Sequence, residues 1–555
     1  MMSPYSAHSL YQKEFNMAER LFLVAAMLLT CQVVSVMSSR DYCIVGAGPS
    51  GLQLGSLLQI SNRDYIIYER GGAPGNFFYK YPRHGQLISI NKRHTGKLND
   101  EFNMRHDWNS LLTDNLDLRM TKYSKEFFPP KQSLTQYLKD FAEYYNLNIQ
   151  YNTEISDITP PNASVSGSVF GMRDQHDNTY NCKVLIMATG YSKEKKVTFP
   201  GSEHVEYYSE ISVNPDDYEG LSVLILGKGN SAFETADNIL PATNFVHMVG
   251  RSRVKLSWET HYVGDLRAVN NGLLDTYQLK SLDGMVESPV EEIIFVKLPN
   301  GKLHLNMSDA ELLDAFSMRE DYDKIISCLG FEYDFSAFNQ SGPHPLPHMR
   351  YTKFPHIQHT YESVQVPGLF FAGTSTHSLD FRKSAGGFIH GFRYTTRALF
   401  NLLEWRFEGV PWPSVTLSWM DMVPTIVKRI NEASATYQMF SVLGDIILIN
   451  DDDKTFRMLE EFPVKLLADI HKHTGWNGTR AIVMLFEYGP DFSGPGKDIF
   501  RETRATGEPS EAHQSNFLHP TFYYYDKIPT GIILLYYSNL RQCNMYYIII
   551  FILLC

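Results

Sequence analysis

The chain has 555 residues, of which 43% are hydrophobic and 20% are charged, and its formal net charge is −11. This length allows two or three domains with large buried cores, and the composition is ordinary for a folded soluble protein. A negative charge spread over such a length argues against a general nucleic-acid binder, so no nucleic-acid partner is expected.

Residues 1–39 contain an apolar run from Leu21 to Val34. This run is too short, and too close to the first predicted strand, to span a membrane, but it fits a secretory signal peptide. Met17 is an alternative initiator that would give this peptide a short charged start. Four N-glycosylation sequons follow, at Asn162, Asn306, Asn339 and Asn477. Together these features predict entry into the secretory pathway.

A glycine-rich turn, Gly46-Ala47-Gly48-Pro49-Ser50-Gly51, directly follows the apolar run Tyr42–Val45. A strand, a glycine turn and a helix in this order bind a dinucleotide pyrophosphate. The first glycine makes the turn, the second lets the backbone approach the phosphates, and the third packs helix on strand. The free N–H groups of the helix N-terminus then face the anion. The pattern predicts a dinucleotide-binding domain whose first part is residues 40–200.

The residues after this turn favour FAD. The next predicted strand, Tyr65–Tyr68, ends in Glu69-Arg70, and a carboxylate there can accept hydrogen bonds from both ribose hydroxyls of an adenosine. A later apolar strand ends in Ala188-Thr189-Gly190, whose small residues let the backbone lie close to the dinucleotide. Asn91 is a candidate catalytic polar group near the flavin C4a edge, and a structural turn residue is the alternative for it.

A second turn, Gly227-Lys228-Gly229-Asn230-Ser231, follows the apolar run Val223–Leu226 and predicts a second dinucleotide site in residues 201–330. The strand after it ends in Gly250-Arg251-Ser252-Arg253, with no acid at the ribose position. Arg251 stands where a guanidinium meets a ribose 2′-phosphate, which favours NADP(H) over NAD(H). The alternative is that Arg251 and Arg253 are solvated loop charges.

Residues 331–405 are predicted to return to the FAD-binding domain through a strand that ends at Gly373. Ser384-Ala385-Gly386-Gly387 then opens a helix that runs through Gly391 to Leu403. Such a helix start can point its N–H groups at the flavin pyrimidine edge and stabilise negative charge on the reduced ring. A tight contact between helix and sheet is the alternative reason for these small residues.

The six cysteines include no C-x-x-C pair, and Cys43 and Cys328 lie in apolar strand patterns that predict small buried core residues. No dithiol near the flavin is evident, which argues against thioredoxin-reductase chemistry. A helix-rich domain is predicted for residues 406–525, and residues 526–555 form an atypical apolar tail. No metal site is predicted.

The order of the two turns and the strands that follow them resembles the flavin-containing monooxygenases and the wider superfamily with two dinucleotide-binding domains. Several long runs are more closely similar to a family of endoplasmic-reticulum flavoproteins associated with degradation. These runs are residues 227–236, 251–258, 260–267, 270–284 and 382–394, and the resemblance covers roughly residues 40–525. The fold it implies is α/β, with two Rossmann-like domains, the NADP domain inserted in the FAD domain, and a helix-rich C-terminal segment.

The resemblance also implies a place of action and partners. It implies a flavoprotein of the endoplasmic reticulum lumen that disposes of misfolded proteins with a ubiquitin-ligase adaptor, a lectin and a lumenal disulfide reductase. The family carries a Lys-Asp-Glu-Leu-type retention signal, whereas this sequence ends in Leu553-Leu554-Cys555. Residence in the lumen is therefore expected to depend on partners.

Three functions remain open from the sequence. The first is an oxidoreductase in which NADPH reduces bound FAD and the flavin passes electrons to an unidentified acceptor. The second is an adaptor that keeps FAD as a structural cofactor and delivers misfolded clients to the ubiquitin ligase. The third is a flavin monooxygenase of small substrates.

Overall fold

The computed structural model describes residues 39–278, 284–307, 321–452, 454–489, 517–529 and 542–543. The predicted signal segment, apart from Ser39, and most of the predicted apolar tail lie outside these residues. Within the described ranges, no helix is long and apolar enough to cross a membrane.

The chain begins with the larger part of a seven-stranded sheet. The elements of this part are β1 Arg40–Val45, α1 Pro49–Ile60, β2 Tyr65–Tyr68, α2 Asn76–Lys80, α3 Asp100–Asn103, α4 Met120–Tyr123, α5 Lys131–Tyr144, β3 Ile149–Gln150, β4 Ser156–Thr159, β5 Phe170–Arg173 and β6 Thr179–Met187. The strand order is β3-β2-β1-β6-β5-β4. Strands β3, β2, β1 and β6 are parallel, and β4 and β5 join this core antiparallel.

A separate five-stranded sheet follows. The elements of this second part are β7 Lys193–Glu194, β8 Val205–Tyr207, β9 Ser222–Leu226, α6 Asn230–Ile239, β10 Phe245–Gly250, α7 Ser257–Thr260, β11 Met285–Glu287, β12 Ile293–Lys297, β13 Leu303–Met307, β14 Lys324–Ser327 and β15 Phe331–Glu332. The order β11-β10-β9-β14-β8 is parallel throughout, while β12 and β13 form an antiparallel hairpin. Strands β7 and β15 pair where the chain enters and leaves this part.

The chain then returns to the first sheet. Strand β16, Leu369–Phe371, pairs in parallel with β6, and α8, Ile389–Glu408, packs against α1. We call residues 40–187 with 369–408 the first sheet unit, and residues 205–327 the second sheet unit. The second unit is therefore an insertion in the sequence of the first, and in both units the predicted order of strand, glycine turn and helix is confirmed.

The prediction of a helix-rich segment in residues 406–525 is wrong. This segment contains β17 Val415–Ser418, α9 Met422–Glu432, α10 Ala435–Gln438, β18 Leu443–Ile449, β19 Thr455–Pro463, α11 Ile470–Thr474, β20 Ala481–Glu487 and β21 His519–Tyr525. With β22, Gln542–Cys543, these strands form an antiparallel sheet in the order β17-β19-β18-β20-β21-β22. Every residue of β18 is buried, including Asp445, so this strand lacks the alternation of apolar and polar residues that identifies a half-buried strand.

The prediction that Cys43 is a small buried core residue is confirmed, but Cys43 is also disulfide-bonded, which the sequence did not indicate. Cys43 of β1 and Cys182 of β6 form a disulfide with a Cα–Cα distance of 6.0 Å. The two residues are distant in sequence but lie on neighbouring strands, a relationship that only the sheet order reveals. Cys328 is a free, buried cysteine, as predicted.

A buried ion-pair network fastens the C-terminal sheet to the first sheet unit. Arg429 of α9 donates to Asp445 of β18 at 2.7 Å and to Glu101 of α3 at 3.0 Å. Arg429 is 5% exposed and Asp445 is 0% exposed. Because a buried charge is costly without its partner, this network links the two parts of the chain.

We expect Arg429→Met to lower the free energy of unfolding by about 3–5 kcal/mol, because it leaves Asp445 buried and unpaired. Denaturant unfolding followed by tryptophan fluorescence measures this loss, and adding Asp445→Asn should recover part of it. The matched control is Lys472→Met, which removes a solvent-exposed pair with Asp469 and should cost less than about 1 kcal/mol. Equal losses in the two single variants would contradict the assignment.

Candidate functional site

The first glycine turn is tightly packed at two glycines and open at a third. Gly46 has φ +106°, and a Cβ added there would lie 2.8 Å from the carbonyl oxygen of Ala188. A Cβ on Gly51 would lie 2.0 Å from the carbonyl oxygen of Gly46. Gly48, by contrast, has φ −76° and ψ 179°, a conformation open to any residue, and its nearest neighbour would be 4.0 Å away. Neither the fold nor the backbone therefore requires glycine at position 48, so the space beside it is available for a ligand.

The second turn repeats this arrangement. Gly227 has φ +126°, and a Cβ there would lie 2.4 Å from the carbonyl oxygen of Cys328. Gly229 has φ −96° and ψ −177°, and a Cβ would meet nothing within 4 Å. In both units the helix after the turn begins without a side-chain cap, so its first N–H groups remain available to an anion.

Glu69 lies at the end of β2 as predicted, but part of its hydrogen-bonding capacity is used by the turn. One carboxylate oxygen accepts from the N–H of Ala47 and the other from the N–H of Gly71, each at 2.8 Å. Glu69 and Arg70 line a cavity of about 300 Å³ that also exposes Gly46 and Gly48. A carboxylate oxygen has more than one acceptor site, so Glu69 can hold the turn and still accept from a ribose.

A cleft of about 600 Å³ lies between the two sheet units. The predicted residues on its walls are Gly48, Pro49, Ser50, Thr189, Gly190, Asn230, Ser231 and Gly387. Gly48, Pro49, Thr189 and Gly190 also line the smaller cavity. The two spaces therefore adjoin at the first glycine turn, and together they bring residues of both predicted dinucleotide sites to one place.

Several predicted residues have a different role from the one expected. Ser384 donates to Asp380 at 2.6 Å and the N–H of Gly386 donates to the same oxygen at 2.8 Å. Ser384, Ala385 and Gly386 lie outside the walls of both cavities, and only Gly387 reaches the cleft. Helix α8 begins a little later than predicted, at Ile389.

One further glycine and an asparagine also act within the fold. A Cβ on Gly373 would lie 2.3 Å from Oγ of Ser50, so Gly373 permits the return strand to pack on α1. Asn230 lines the cleft, but its amide nitrogen donates to the carbonyl of Asp265 at 2.9 Å and its oxygen accepts from the N–H of Arg267 at 3.0 Å. Asn230 therefore anchors the loop that covers α6.

The structure does not bring Asn91 to the cleft, contrary to the catalytic interpretation. Asn91 is 2% exposed, and its amide nitrogen donates to the carbonyls of Ser124 and Glu126 at 3.0 and 3.1 Å. It lies outside the walls of both cavities. These bonds support the structural alternative, because they tie the segment after β2 to the α4–α5 connection.

The predicted phosphate-binding arginines lie at the carboxyl end of β10. Arg251 and Arg253 are exposed, and Arg251 pairs with Glu291 at 2.8 Å. A Cβ on Gly250 would lie 2.9 Å from the side chain of Lys228, so this lysine folds over the same strand end. Its Nζ atom is buried without a hydrogen-bond partner among the described residues, and burial lowers its pKa. Lys228 and Arg251 therefore both lie at the carboxyl end of β10, where the sequence predicts a ribose phosphate.

The cleft contains ionisable groups that sequence reasoning missed. Burial raises the pKa of Glu234 to about 7, although a hydrogen bond from Asn270 opposes this shift. Burial lowers the pKa of Lys353 to about 8, with a smaller effect from the charge of Arg382. Its ammonium lies over the ring of Phe381, 4.3 Å from the centroid. No motif marks these positions, since folding alone removes them from water.

Two histidines of the same region were also missed. His390 stacks on Trp108 with a centroid distance of 4.2 Å, and both its ring nitrogens are buried without a hydrogen-bond partner in the described chain. His377 donates to or accepts from two partners, Tyr262 and Asp380. In the sequence, the three-residue spacing of His377 and Asp380 could have indicated that these two side chains interact. That spacing does not indicate the contact with Tyr262, which lies 115 residues away.

Known proteins resemble this chain over most of its length. The sequence profile of the family described as pyridine nucleotide-disulphide oxidoreductase matches residues 43–373. FAD-dependent oxidoreductase domain-containing protein 2 of Mus musculus is 50% identical over 528 residues, which cover 92% of this chain and 79% of that protein. The protein of the same name from Danio rerio is 42% identical over 537 residues, with coverages of 89% and 76%.

Among solved structures, a flavin-containing monooxygenase from Stenotrophomonas maltophilia is 17% identical, with a TM-score of 0.49. The match covers 66% of this chain and 99% of that one. The profile match and the two relatives place this protein among flavin-dependent oxidoreductases: the chain belongs to the pyridine nucleotide-disulphide oxidoreductase family and, within it, to the family of FAD-dependent oxidoreductase domain-containing protein 2.

Proposed function

We propose that this protein is an oxidoreductase of the endoplasmic reticulum lumen in which NADPH reduces FAD, and that it acts in the degradation of misfolded proteins. One observation carries the enzymatic part of the proposal. Each of the two glycine turns has a glycine whose backbone conformation any residue could adopt and which lies beside open space. The two sheet units that carry these turns share one cleft. A dinucleotide site needs such a glycine because the phosphates approach the backbone.

The residues of the first unit fit FAD. The turn at Gly46–Gly51 and the uncapped start of α1 would bind the pyrophosphate, while Glu69 would accept from the adenosine ribose. Thr189, Gly190 and Gly387 line the cleft, where they would contact the flavin ring. The start of α8 would place positive backbone dipoles beside that ring.

The residues of the second unit fit NADPH. Gly229 and the start of α6 would bind its pyrophosphate, and Arg251 with Lys228 would neutralise the 2′-phosphate. When both cofactors are bound, FAD supplies the redox chemistry by accepting a hydride from the nicotinamide. The protein's part is to hold two dinucleotides at one cleft and to exclude water from it.

Three features support the lumenal part of the proposal. Cys43 and Cys182 form a disulfide, and disulfides persist in oxidising compartments such as this lumen. Three of the four sequon asparagines, Asn162, Asn306 and Asn477, are exposed. The resemblance described above supplies the proposed partners: misfolded clients, a ubiquitin-ligase adaptor, a lectin and a lumenal disulfide reductase.

Retention of FAD should depend on Gly48. Because the backbone at this position suits any residue, Gly48→Val should fold but should fill the space that the pyrophosphate needs, and the purified protein should be colourless. Flavin content measured by absorbance, beside far-UV circular dichroism, tests this. The matched control is Gly342→Val, since a Cβ at this exposed glycine meets nothing within 4 Å, and it should stay yellow. A yellow Gly48→Val protein would refute the assignment.

Preference for NADPH should depend on Arg251. Removing a charged partner of a phosphate typically costs about 1.5–3 kcal/mol, so Arg251→Ala should bind NADPH about 10- to 150-fold more weakly and NADH almost unchanged. Anaerobic stopped-flow bleaching of the flavin at increasing NADPH or NADH concentration measures both affinities.

Glu291→Gln is the companion variant, because it removes the carboxylate that pairs with Arg251 and should not weaken NADPH binding. Equal losses for NADPH and NADH in Arg251→Ala would show that this arginine serves the fold. If NADPH fails to bleach the flavin of the unaltered protein, the enzymatic proposal is wrong and the adaptor function takes its place.

Lumenal residence should leave high-mannose glycans at the exposed sequons. The amide nitrogen of Asn339 already donates to Asp157 at 2.7 Å, so this sequon should remain unmodified. Digestion with a high-mannose-specific endoglycosidase should shift the mass of the expressed chain, and Asn339→Gln should not change the shift, whereas Asn477→Gln should reduce it. A chain that carries no glycan and fractionates with cytosol would overturn the lumenal proposal.

A further inference from the structure

Three ionisable side chains form a continuous hydrogen-bonded chain at the edge of the cleft. The hydroxyl of Tyr262 lies 2.9 Å from Nε2 of His377. Nδ1 of His377 lies 2.7 Å from Oδ1 of Asp380. Tyr262 lines the cleft, whereas His377 and Asp380 are 0% and 3% exposed. The chain of bonds therefore has one end in the cleft and the other in the protein interior.

The surrounding structure makes room for these rings. A Cβ on Gly264 would lie 2.5 Å from the ring of Tyr262, and a Cβ on Gly387 would lie 2.5 Å from the ring of His377. The two rings are stacked at 17°, with centroids 5.8 Å apart. Three phenylalanines enclose them, Phe354, Phe381 and Phe388. These rings keep water away from the imidazole of His377. Its hydrogen bonds to Tyr262 and Asp380 are therefore strong and fix its orientation.

Asp380, the interior end of this hydrogen-bonded series, is held in its charged form. Burial acts to raise the pKa of Asp380, but the charge and hydrogen bond of His377, with hydrogen bonds from Ser384 and Gly386, hold it below the usual value. Asp380 is thereby oriented and charged, as the carboxylate of a hydroxyl–imidazole–carboxylate triad must be. Burial raises the pKa of Tyr262, so its hydroxyl keeps its proton.

Two of the other charges near Tyr262 are paired with each other. Arg382 forms an ion pair with Asp265, and its guanidinium lies 5.4 Å from the centroid of the Tyr262 ring. Lys353 lies among aromatic rings on the same cleft wall. Tyr262 belongs to the second sheet unit, whereas His377 and Asp380 belong to the first. The triad is therefore complete only where the two units meet at the cleft.

We propose that Tyr262, His377 and Asp380 deliver the proton that an electron acceptor needs when it takes electrons from the reduced flavin. This inference rests on the proposed oxidoreductase function. A two-electron acceptor takes one hydride equivalent from the flavin and one further proton. One hydride and one proton convert dioxygen to hydrogen peroxide. The same pair converts a disulfide to two thiols by breaking the S–S bond. The hydride equivalent leaves the flavin oxidised, and the further proton must come from an acid in the cleft.

The triad can supply that proton without a net change at Tyr262. With both nitrogens of His377 protonated, Nδ1 donates to Asp380 and Nε2 donates to the oxygen of Tyr262. The hydroxyl of Tyr262 passes its proton to the acceptor and takes the proton from Nε2. His377 becomes neutral and keeps its proton on Nδ1. After the acceptor leaves, a proton taken up from bulk solvent returns to Nε2 through Tyr262. Tyr262 is the donor, while His377 and Asp380 act as positioning residues.

The test uses the FAD-loaded full chain and does not require NADPH. Dithionite reduces the flavin anaerobically, and mixing with dissolved dioxygen starts reoxidation, which is followed by the return of flavin absorbance. Tyr262→Phe keeps the ring and removes the proton, and its reoxidation should be about 100-fold slower. The matched control is Tyr191→Phe, because Tyr191 lines the same cleft, and its reoxidation should be unchanged.

Two further measurements distinguish a proton-donating role of Tyr262 from a purely structural one. Added imidazolium buffer should restore the rate of Tyr262→Phe in proportion to its concentration and leave the unaltered protein unaffected. In the oxidised protein, ¹⁵N NMR of histidine should show His377 protonated at Nδ1, and the resonance should move in both Tyr262→Phe and Asp380→Asn.

The outcomes distinguish this inference from the proposed function. Failure of NADPH to reduce the flavin refutes the NADPH proposal but leaves the dithionite experiment intact. Unchanged reoxidation in Tyr262→Phe, or a slow rate that no buffer acid restores, would overturn the relay. A His377 that carries no proton on Nδ1 would overturn it as well.

Discussion

The fold depends on the close approach of backbone to backbone at the first glycine of each turn. At Gly46 and Gly227 a Cβ would collide with a carbonyl oxygen of the neighbouring strand's end, on Ala188 and Cys328 respectively. This contact brings the start of a helix over the end of a parallel sheet and leaves the second glycine beside empty space. The geometry of both glycine turns, and of the cleft beside them, follows from these two contacts.

The order of strands and helices around the turns could be predicted because local signals agreed with the tertiary fold. Apolar runs before the glycines formed β1 and β9, and the runs after them formed β2 and β10. The C-terminal sheet could not be predicted in this way. Its strand β18 is buried on both sides, so it lacks the alternation that identifies a strand, and only its antiparallel partners β19 and β20 specify its conformation.

The parts of the candidate site that depend on backbone conformation could be predicted from the sequence. The parts that depend on contacts between side chains from distant segments could not. Gly48 and Thr189 reach the cavities because the first glycine turn and the end of β6 place them there. Ser384 and Gly386 instead hydrogen-bond to Asp380, a residue that no local pattern marks. Asn91 shows the converse error: a polar residue after an apolar run satisfies the carbonyls of another loop.

The position of the second unit within the first has a consequence for biosynthesis. A ribosome delivers β1 and β6 early, but β16, which pairs with β6, emerges only after all of β7 to β15. The edge of β6 that pairs with β16 therefore stays unpaired with that strand while the inserted sheet is being synthesised. The Cys43–Cys182 disulfide joins β1 to β6 and can form before β16 exists. Formation of this disulfide while the chain is still being made would hold β1 and β6 together until the last strand of the sheet arrives.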